Sequence, residues 1–152
     1  SLMVVDSILQ DIKYADLTNI KIQEAKGRFE IVNDSPVKII DGAHNYEGVE
    51  ILLRNYENKY GHLNTDLFVG FKKGKDINNI FNLIIGKKNY NLHLIEDDTF
   101  FDQEITKEIG YLLDKHGKNY KISSLEQFNR NKNPSILLGS LYLIGEYKKR
   151  NI

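Results

Sequence analysis

Short runs of apolar, β-branched and aromatic residues alternate along this chain with longer amphipathic segments, and this alternation constrains the fold more than any other feature. Each short run has the length of a β-strand, and each longer segment repeats its apolar residues at helical spacing. Strands that alternate with helices favour a mainly parallel sheet with helices packed against it. The strands are predicted at 29–32, 37–40, 66–71, 90–95, 120–122 and 135–138, and the helices at 4–13, 46–60, 76–85, 102–115, 125–129 and 141–149.

The first two predicted strands differ from the others because only the turn-forming segment 33–36 separates them. A connection this short joins antiparallel strands, whereas parallel strands need a longer crossover. We therefore predict a Rossmann-like α/β fold: a three-layer sandwich with a mainly parallel sheet of about six strands, one antiparallel edge strand, and helices on both faces. We assign residues 1–26 to a helix and linker from a preceding domain, and residues 27–152 to the sandwich.

The composition excludes several classes of protein. The 152 residues contain 21 basic and 21 acidic side chains, so the zero net charge gives no argument for nucleic acid or an anionic membrane as partner. The chain has no cysteine, which excludes disulfides and thiolate metal sites. No apolar run is long enough to cross a membrane, and no signal peptide is visible. We expect a cytoplasmic monomer without a nucleic-acid or membrane partner.

The strongest local signal for function is Asp-Gly-Ala-His-Asn at 41–45, between a predicted strand and a predicted helix. Asp41 ends the strand, Gly42 permits a tight turn, and His44 stands where the free N–H groups of a helix can meet an anion. A plainer interpretation stays open, in which Asn45 caps the helix and Asp41 only orders the turn.

Three further segments carry groups suited to anions, and two of them also have a plainer interpretation. Arg28, beside Gly27, could grip a phosphate, or it could be a solvated surface residue. The turn 70–76 contains two glycines and three lysines, which suits anion binding. Ser140 follows a predicted strand, and it could contact a ligand or cap the last helix.

Some familiar site types do not fit the sequence. The Gly-x-x-x-x-Gly-Lys-Ser/Thr pattern of a nucleotide-binding P-loop occurs nowhere in it. No pair of histidines has the spacing of metal ligands, so no metal site is predicted. Ser140, His44 and Asp41 could be combined as a catalytic triad, but the Gly-x-Ser-x-Gly turn that would support one is missing.

Four segments taken together resemble one family. They occur in the order Gly-Arg-Phe-Glu at 27–30, Asp-Gly-Ala-His-Asn at 41–45, Lys-Asp at 75–76 and Gly-Ser-Leu-Tyr at 139–142. In this combination they are similar to the C-terminal domain of folylpolyglutamate synthase and dihydrofolate synthase, which belong to the Mur ligase group. The resemblance extends from Gly27 to the end of the chain.

The resemblance implies an ATP- and magnesium-dependent ligase that adds L-glutamate to a folate or to dihydropteroate. In such enzymes ATP phosphorylates a substrate carboxylate, and the amino group of glutamate then attacks the acyl phosphate. The P-loop and most magnesium ligands lie on an N-terminal ATPase domain of the same chain. The C-terminal domain closes over that domain and contributes nucleotide and glutamate contacts.

Carried over residue by residue, the resemblance implies a role for five side chains. Arg28, Asp41 and His44 would bind the nucleotide, and Asp41 and His44 would be the catalytic residues. Ser140, His44 and Lys75 would bind glutamate, and no residue of this domain would ligate the metal. Because a transferring phosphoryl group needs positioned cations, these residue types suit the chemistry.

The sequence departs from the family pattern at three positions. Tyr46 stands where the family often has proline, Lys26 replaces a proline, and Gly74 replaces an aspartate. The missing P-loop matters more, because it implies that this chain is inactive alone, whether it is an excised domain or a natural truncation.

Two other classes of protein share features with this sequence. The first is a non-catalytic α/β ligand-binding or receiver-like module, which Asp41 and Lys75 would suit. A receiver also needs an acidic pair at the end of its first strand, and residues 29–32 do not supply one. The second is a cell-wall Mur ligase, against which the Gly-Ser-Leu-Tyr segment at 139–142 argues.

Overall fold

The computed structural model describes residues 27–72, 76–97 and 103–151. The predicted helix at 4–13, the assigned linker and Lys75 lie outside these ranges. In chain order the elements are β1 (Glu30–Asp34), β2 (Val37–Asp41), α1 (Tyr46–Tyr60), β3 (Thr65–Val69), α2 (Ile77–Ile85), β4 (Tyr90–Ile95), α3 (Gln103–Lys115), β5 (Tyr120–Ser123), α4 (Leu125–Arg130), β6 (Ser135–Leu138) and α5 (Leu141–Arg150).

The six strands form one sheet in the order β1-β2-β6-β3-β4-β5. The edge strand β1 runs antiparallel to β2, and every other neighbouring pair is parallel. The prediction of a mainly parallel sheet with one antiparallel edge strand is therefore confirmed. The carboxyl ends of β2, β6 and β3 lie side by side at the centre of the sheet, where ligands bind in open α/β folds.

Helices cover both faces of the sheet, because alternate strand residues point to opposite sides. On β3, Leu67 and Val69 belong to the apolar cluster under α1, α2 and α3, whereas Phe68 belongs to the cluster under α4 and α5. The first cluster contains 22 buried residues and the second contains nine among the described residues. The predicted three-layer sandwich is confirmed, with a thinner layer on the α4 and α5 side.

Six predicted strand boundaries differ from the observed ones by one or two residues, and two of these differences bear on the carboxyl edge. The first strand begins at Glu30 and not at Phe29, because Phe29 has a φ of 44° that no strand residue adopts. The third strand ends at Val69, and Gly70 and Phe71 already belong to the following turn. In the described part of the chain, no helix has both the length and the apolar character of a membrane span.

Candidate functional site

The candidate site lies at the carboxyl edge of the sheet, around the ends of β2, β6 and β3. Asp41 at the end of β2 is in register with Leu138 at the end of β6, and Leu138 is in register with Val69 of β3. The turn that carries His44 and the turn that carries Ser140 therefore leave the sheet from adjacent strands. The structure thus brings these residues to one edge, although Asp41 and Ser140 are buried and only His44 is partly exposed.

Asp41 organises the turn after β2. Its carboxylate is 6% exposed and accepts hydrogen bonds from the backbone N–H of Phe29 at 2.9 Å and of Ala43 at 2.8 Å. Burial raises the pKa of Asp41 above its ordinary value, while these two donors and the nearby Arg28 charge offset part of that effect. The interpretation that Asp41 orders the turn is confirmed, and a perturbed carboxyl at a strand end is also typical of functional sites.

The segment before β1 is tied to this turn by its backbone. The carbonyl of Gly27 accepts a hydrogen bond from the N–H of Gly42 at 2.6 Å. Phe29, whose N–H is held by Asp41, occupies the left-handed region that side chains rarely adopt. Arg28 lies between these two anchor points, so its backbone is fixed beside the Asp41 turn, and its exposed side chain is near enough for its charge to act on Asp41.

His44 has one ring nitrogen available to a ligand. Its Nδ1 lies 2.9 Å from the carbonyl oxygen of Gly42, which can only accept a hydrogen bond, so Nδ1 carries the proton. Its Nε2 forms no hydrogen bond with any described residue. In the neutral ring Nε2 is an acceptor, and it is positioned at the entrance to α1, where Asn45 caps the helix by accepting from the N–H of Gly48 at 2.8 Å.

Ser140 caps α5, as the plainer interpretation of the sequence proposed. Its Oγ is near the N–H groups of Tyr142 at 3.1 Å and Leu143 at 3.4 Å, and the residue is 7% exposed. The preceding Gly139 has a φ of 121°, and a Cβ built there would lie 2.4 Å from the carbonyl oxygen of Gly70. The close approach of two backbone turns therefore sets the position of Ser140, and its contact with glutamate stays a prediction.

Sequence reasoning missed the pairing of Lys72 with Tyr142 at this edge. The Lys72 ammonium lies 4.2 Å from the centroid of the Tyr142 ring, which is a cation–π geometry. The lysine-rich turn after β3 was recognised as a possible anion site, but Lys75 was selected, and it lies outside the described residues. The available signal was the tyrosine that ends the Gly-Ser-Leu-Tyr segment.

The described residues offer no metal centre. No group of three or more histidine, cysteine, aspartate or glutamate side chains in ranges 27–72, 76–97 and 103–151 could hold an ion. Asp41 is the acidic residue of the candidate site, and both its oxygens already accept backbone hydrogen bonds. The described side chains therefore form no preassembled magnesium site, and no reaction step is assigned to the ion here.

Replacing Asp41 by asparagine tests its role in the turn. We expect Asp41→Asn to lower the free energy of unfolding by roughly 1–3 kcal/mol, because an amide has one acceptor oxygen and leaves one buried N–H unpaired. Urea unfolding monitored by circular dichroism measures the change. The matched control is Asp34→Asn at the exposed end of β1, expected within about 0.5 kcal/mol of wild type. Equal stability of both variants would contradict this role.

The chain is similar in structure to solved proteins. No family model matches the chain, and no curated protein matches it. At the level of fold, the chain is similar to solved structures of folylpolyglutamate synthases.

Three of these structures show the extent of the match. Folylpolyglutamate synthase from Thermotoga maritima has 24% identity and a TM-score of 0.67, covering 81% of this chain and 30% of its own. E. coli FolC in complex with ADP has 20% identity and a TM-score of 0.64, covering 83% and 31%. The bifunctional folylpolyglutamate synthase/dihydrofolate synthase from Yersinia pestis, complexed with AMPPNP and Mn, has 20% identity and a TM-score of 0.62, covering 83% and 31%.

The chain therefore spans about 30% of the length of the synthases that it matches. At these identities the likeness concerns the fold, and the resemblance noted from the four sequence segments is confirmed at that level. The activity of the complete synthases, their substrates and their partners do not follow from the likeness itself.

Proposed function

We propose that this chain is the C-terminal domain of a cytoplasmic, ATP-dependent ligase that adds L-glutamate to a folate or to dihydropteroate through an acyl phosphate. The observation that carries the proposal is the carboxyl-edge site, where Arg28, His44 and Ser140 surround the Asp41 turn in a fold shared with folylpolyglutamate synthases. In this reading the domain supplies contacts to the nucleotide and to glutamate, and a separate ATPase domain supplies the rest.

The ligands of the similar structures support this assignment. One synthase holds ADP, another holds AMPPNP and Mn, and a further bifunctional synthase holds Mn, AMPPNP and L-glutamate. ADP and AMPPNP carry phosphate groups, and L-glutamate carries carboxylate groups. The exposed groups at the carboxyl edge of this chain include two cations, Arg28 and Lys72, so the charge of the site complements the reactants.

The proposed reaction needs positioned charges more than a nucleophilic side chain. The substrate carboxylate attacks the γ-phosphorus of ATP, and ADP leaves. The amino group of glutamate then attacks the acyl carbon, the bond from that carbon to the phosphate oxygen breaks, and inorganic phosphate leaves as the amine loses its proton. Arg28 neutralises phosphate oxygens during these steps, and Lys75 remains a proposed contact of the anionic reactants.

His44 is the proposed catalytic residue that touches glutamate. Because the Gly42 carbonyl holds its Nδ1–H, Nε2 faces outward as an acceptor and can receive a hydrogen bond from the attacking amino group. Asp41 is better described as a positioning residue, since its two oxygens hold the backbone on either side of Arg28 and His44. Ser140 fixes the start of α5, and its proposed glutamate contact uses the remaining capacity of its hydroxyl.

The domain is proposed to work only in combination with an N-terminal ATPase domain. No P-loop pattern occurs in the 152 residues, so the chain lacks the usual cradle for the β- and γ-phosphates. ATP and magnesium would be held mainly by that other domain, where magnesium would neutralise charge on the transferring phosphate. We expect the isolated chain to show no ligase activity.

The test is incorporation of labelled glutamate by the longer enzyme that contains this domain, with dihydropteroate and tetrahydrofolate as alternative acceptors. We expect His44→Ala to reduce the rate roughly 10²–10⁴-fold, as for loss of a group that handles a reacting proton. The matched control is His116→Ala, because His116 also holds a backbone carbonyl through Nδ1, that of Leu112, but lies at the end of α3 away from the site. Its activity should equal wild type.

The outcomes distinguish a ligase domain from a non-catalytic binding module. Loss of incorporation in His44→Ala alone, with both variants folded, supports the ligase and the site, and the preferred acceptor identifies the substrate. No incorporation by wild type with either acceptor would overturn the ligase proposal in favour of a non-catalytic binding module. Equal rates in wild type and His44→Ala would remove His44 from the mechanism.

A further inference from the structure

A second cavity lies at the opposite edge of the sheet, near the amino ends of β3, β4 and β5. Its volume is about 560 Å³, within the usual range for small-molecule sites. The strands between the two edges contain four to six residues, so about 13–20 Å of strand length separates the cavity edge from the edge that carries the Asp41 turn. It is therefore separate from the proposed ligase site.

The cavity exists because the second helical layer is incomplete. Helices α4 and α5 pack on the centre of the sheet, and they leave the amino ends of β4 and β5 uncovered on that face. The loop between α4 and β6 forms one wall, and the loop between α3 and β5 forms the other. The floor is made of polar side chains, including Asp66, Asn91, His93 and Lys121.

A buried charge lies in this floor and has no role in the proposed ligase reaction. Asp66 is 4% exposed, and its carboxylate accepts hydrogen bonds from the side-chain amides of Asn91 at 3.0 Å, Asn131 at 3.1 Å and Asn133 at 3.1 Å. His93 Nε2 is 3.8 Å from the same carboxylate. The carboxylate oxygens of Asp66 are thus occupied by donors from the protein.

The three asparagines present acceptors to the cavity. Since each amide nitrogen turns inward to Asp66, the carbonyl oxygen on the same planar amide points away from it. No described residue donates a hydrogen bond to the Oδ1 atoms of Asn91, Asn131 or Asn133. All three residues line the cavity, so a ligand with hydroxyl donors would meet a fixed set of acceptors.

Positive charge borders the same space. Lys118 and Lys121 both line the cavity, and Asp66 is the sole carboxylate among its lining residues. Lys121 is exposed and forms no hydrogen bond or ion pair with any described residue. Lys118 donates to the carbonyl of Tyr90 at 3.1 Å, which uses one of its three ammonium protons. Because two lysines and one carboxylate line the cavity, its lining favours an anionic ligand.

We propose that this cavity is a second ligand site, which binds a small oxyanion that also carries hydroxyl groups. The lysines would bind the phosphate or carboxylate group, and the three asparagine oxygens would accept hydrogen bonds from the hydroxyl groups. The His93 ring in the floor of the cavity is held in place on two sides. The Oγ of Ser123 lies 2.9 Å from its Nδ1, and the ring stacks on Phe68 with ring centroids 4.2 Å apart. The inference is independent of the proposed ligase activity.

The test is a titration of the isotope-labelled 152-residue chain, followed by the NMR signals of its backbone amides. Ribose 5-phosphate and gluconate are the two hydroxylated anions, which distinguish a phosphate from a carboxylate ligand. Inorganic phosphate and ribose test each half of the ligand alone, at constant ionic strength. We expect at least one hydroxylated anion to shift amides around Asn91, Lys121 and Asn133, with at least tenfold tighter binding than either half.

Variants connect the binding to the cavity. Lys121→Ala removes an exposed charge and should weaken binding at least fivefold, while Lys149→Ala on the exposed face of α5 should leave it unchanged. His44→Ala should also leave it unchanged, which separates this site from the ligase site. The proposal is overturned if neither hydroxylated anion shifts the cavity amides, if inorganic phosphate binds equally well, or if Lys121→Ala binds like wild type.

Discussion

Gly139→Ala is expected to lower the free energy of unfolding by roughly 3 kcal/mol or more. Two costs combine at this residue. A side chain at a φ of 121° is strained by about 1–3 kcal/mol, and an added Cβ 2.4 Å from the backbone oxygen of Gly70 costs about 1–3 kcal/mol more. Neither β3 nor β6 can move freely, because both lie in the middle of the sheet.

The matched control for this prediction is another glycine to alanine change. Gly145 lies inside α5, and a Cβ there meets nothing within 4 Å, so Gly145→Ala should stabilise the chain by roughly 0.5–1 kcal/mol. Thermal unfolding separates the two variants, since 1 kcal/mol shifts the midpoint by about 2–4 °C in a protein of this length. Gly139→Ala unfolding at or above the wild-type midpoint would show that the approach of the two turns is not constrained.

Asp66→Asn is expected to lower the free energy of unfolding at pH 7 by roughly 3 kcal/mol. It is also expected to weaken the dependence of that free energy on pH in the acid range. Burial raises the pKa of Asp66, but the nearby His93 ring and the hydrogen bonds from the asparagine amides outweigh burial and hold the pKa well below its ordinary value of 3.8. The ionised carboxylate therefore stabilises the folded state. That contribution is fully present above the unfolded pKa and is lost as the pH falls below it.

The measurement is urea unfolding of wild type and Asp66→Asn between pH 7 and pH 2. The wild-type free energy of unfolding should fall below about pH 4 with a slope approaching 1.4 kcal/mol per pH unit from this group, and the variant should lack that component. Asp114→Asn, on the exposed side of α3, is the control and should retain the wild-type slope. A variant curve parallel to wild type would mean that Asp66 titrates normally.

Most of the fold follows from sequence patterns because each element has its own local period. The helix at 46–60 and the strands at 90–95 and 135–138 were predicted with the observed boundaries. The antiparallel edge pair was also predictable, since a connection as short as 33–36 permits no crossover. Boundaries failed where tertiary contacts overrode local preference, as at Phe29, which the carboxylate of Asp41 holds in a left-handed conformation.

The candidate site was only partly predictable. The chain order of the elements implied that the ends of β2 and β6 share an edge, so the proximity of His44 and Ser140 could be anticipated. The sequence could not show that both carboxylate oxygens of Asp41 accept hydrogen bonds from backbone N–H groups, because one donor, Phe29, lies twelve residues away. The Lys72–Tyr142 contact was equally hidden, since it joins side chains seventy residues apart.

The second cavity, which Asn91, Asn131 and Asn133 line, could not be predicted from local sequence patterns. Asp66 was treated as the start of an apolar strand, and Asn131 and Asn133 belong to a loop far along the chain. Only the pairing of β3 with both β4 and β6 brings these amides onto one carboxylate. Residues that interact through sheet order, and not through helical or strand spacing, leave no periodic signal.

The irregular pairing of β1 with β2 affects how copies of this chain meet in concentrated solution. The register shifts between Ile31 and Asn33, which is the signature of a bulge, and a bulge increases local twist. Strand β1 exposes Ile31 and Val32, two apolar residues that would otherwise favour strand addition by another molecule. A twisted and interrupted edge is a poor template, so this border of the sheet resists polymerisation into an extended cross-β assembly.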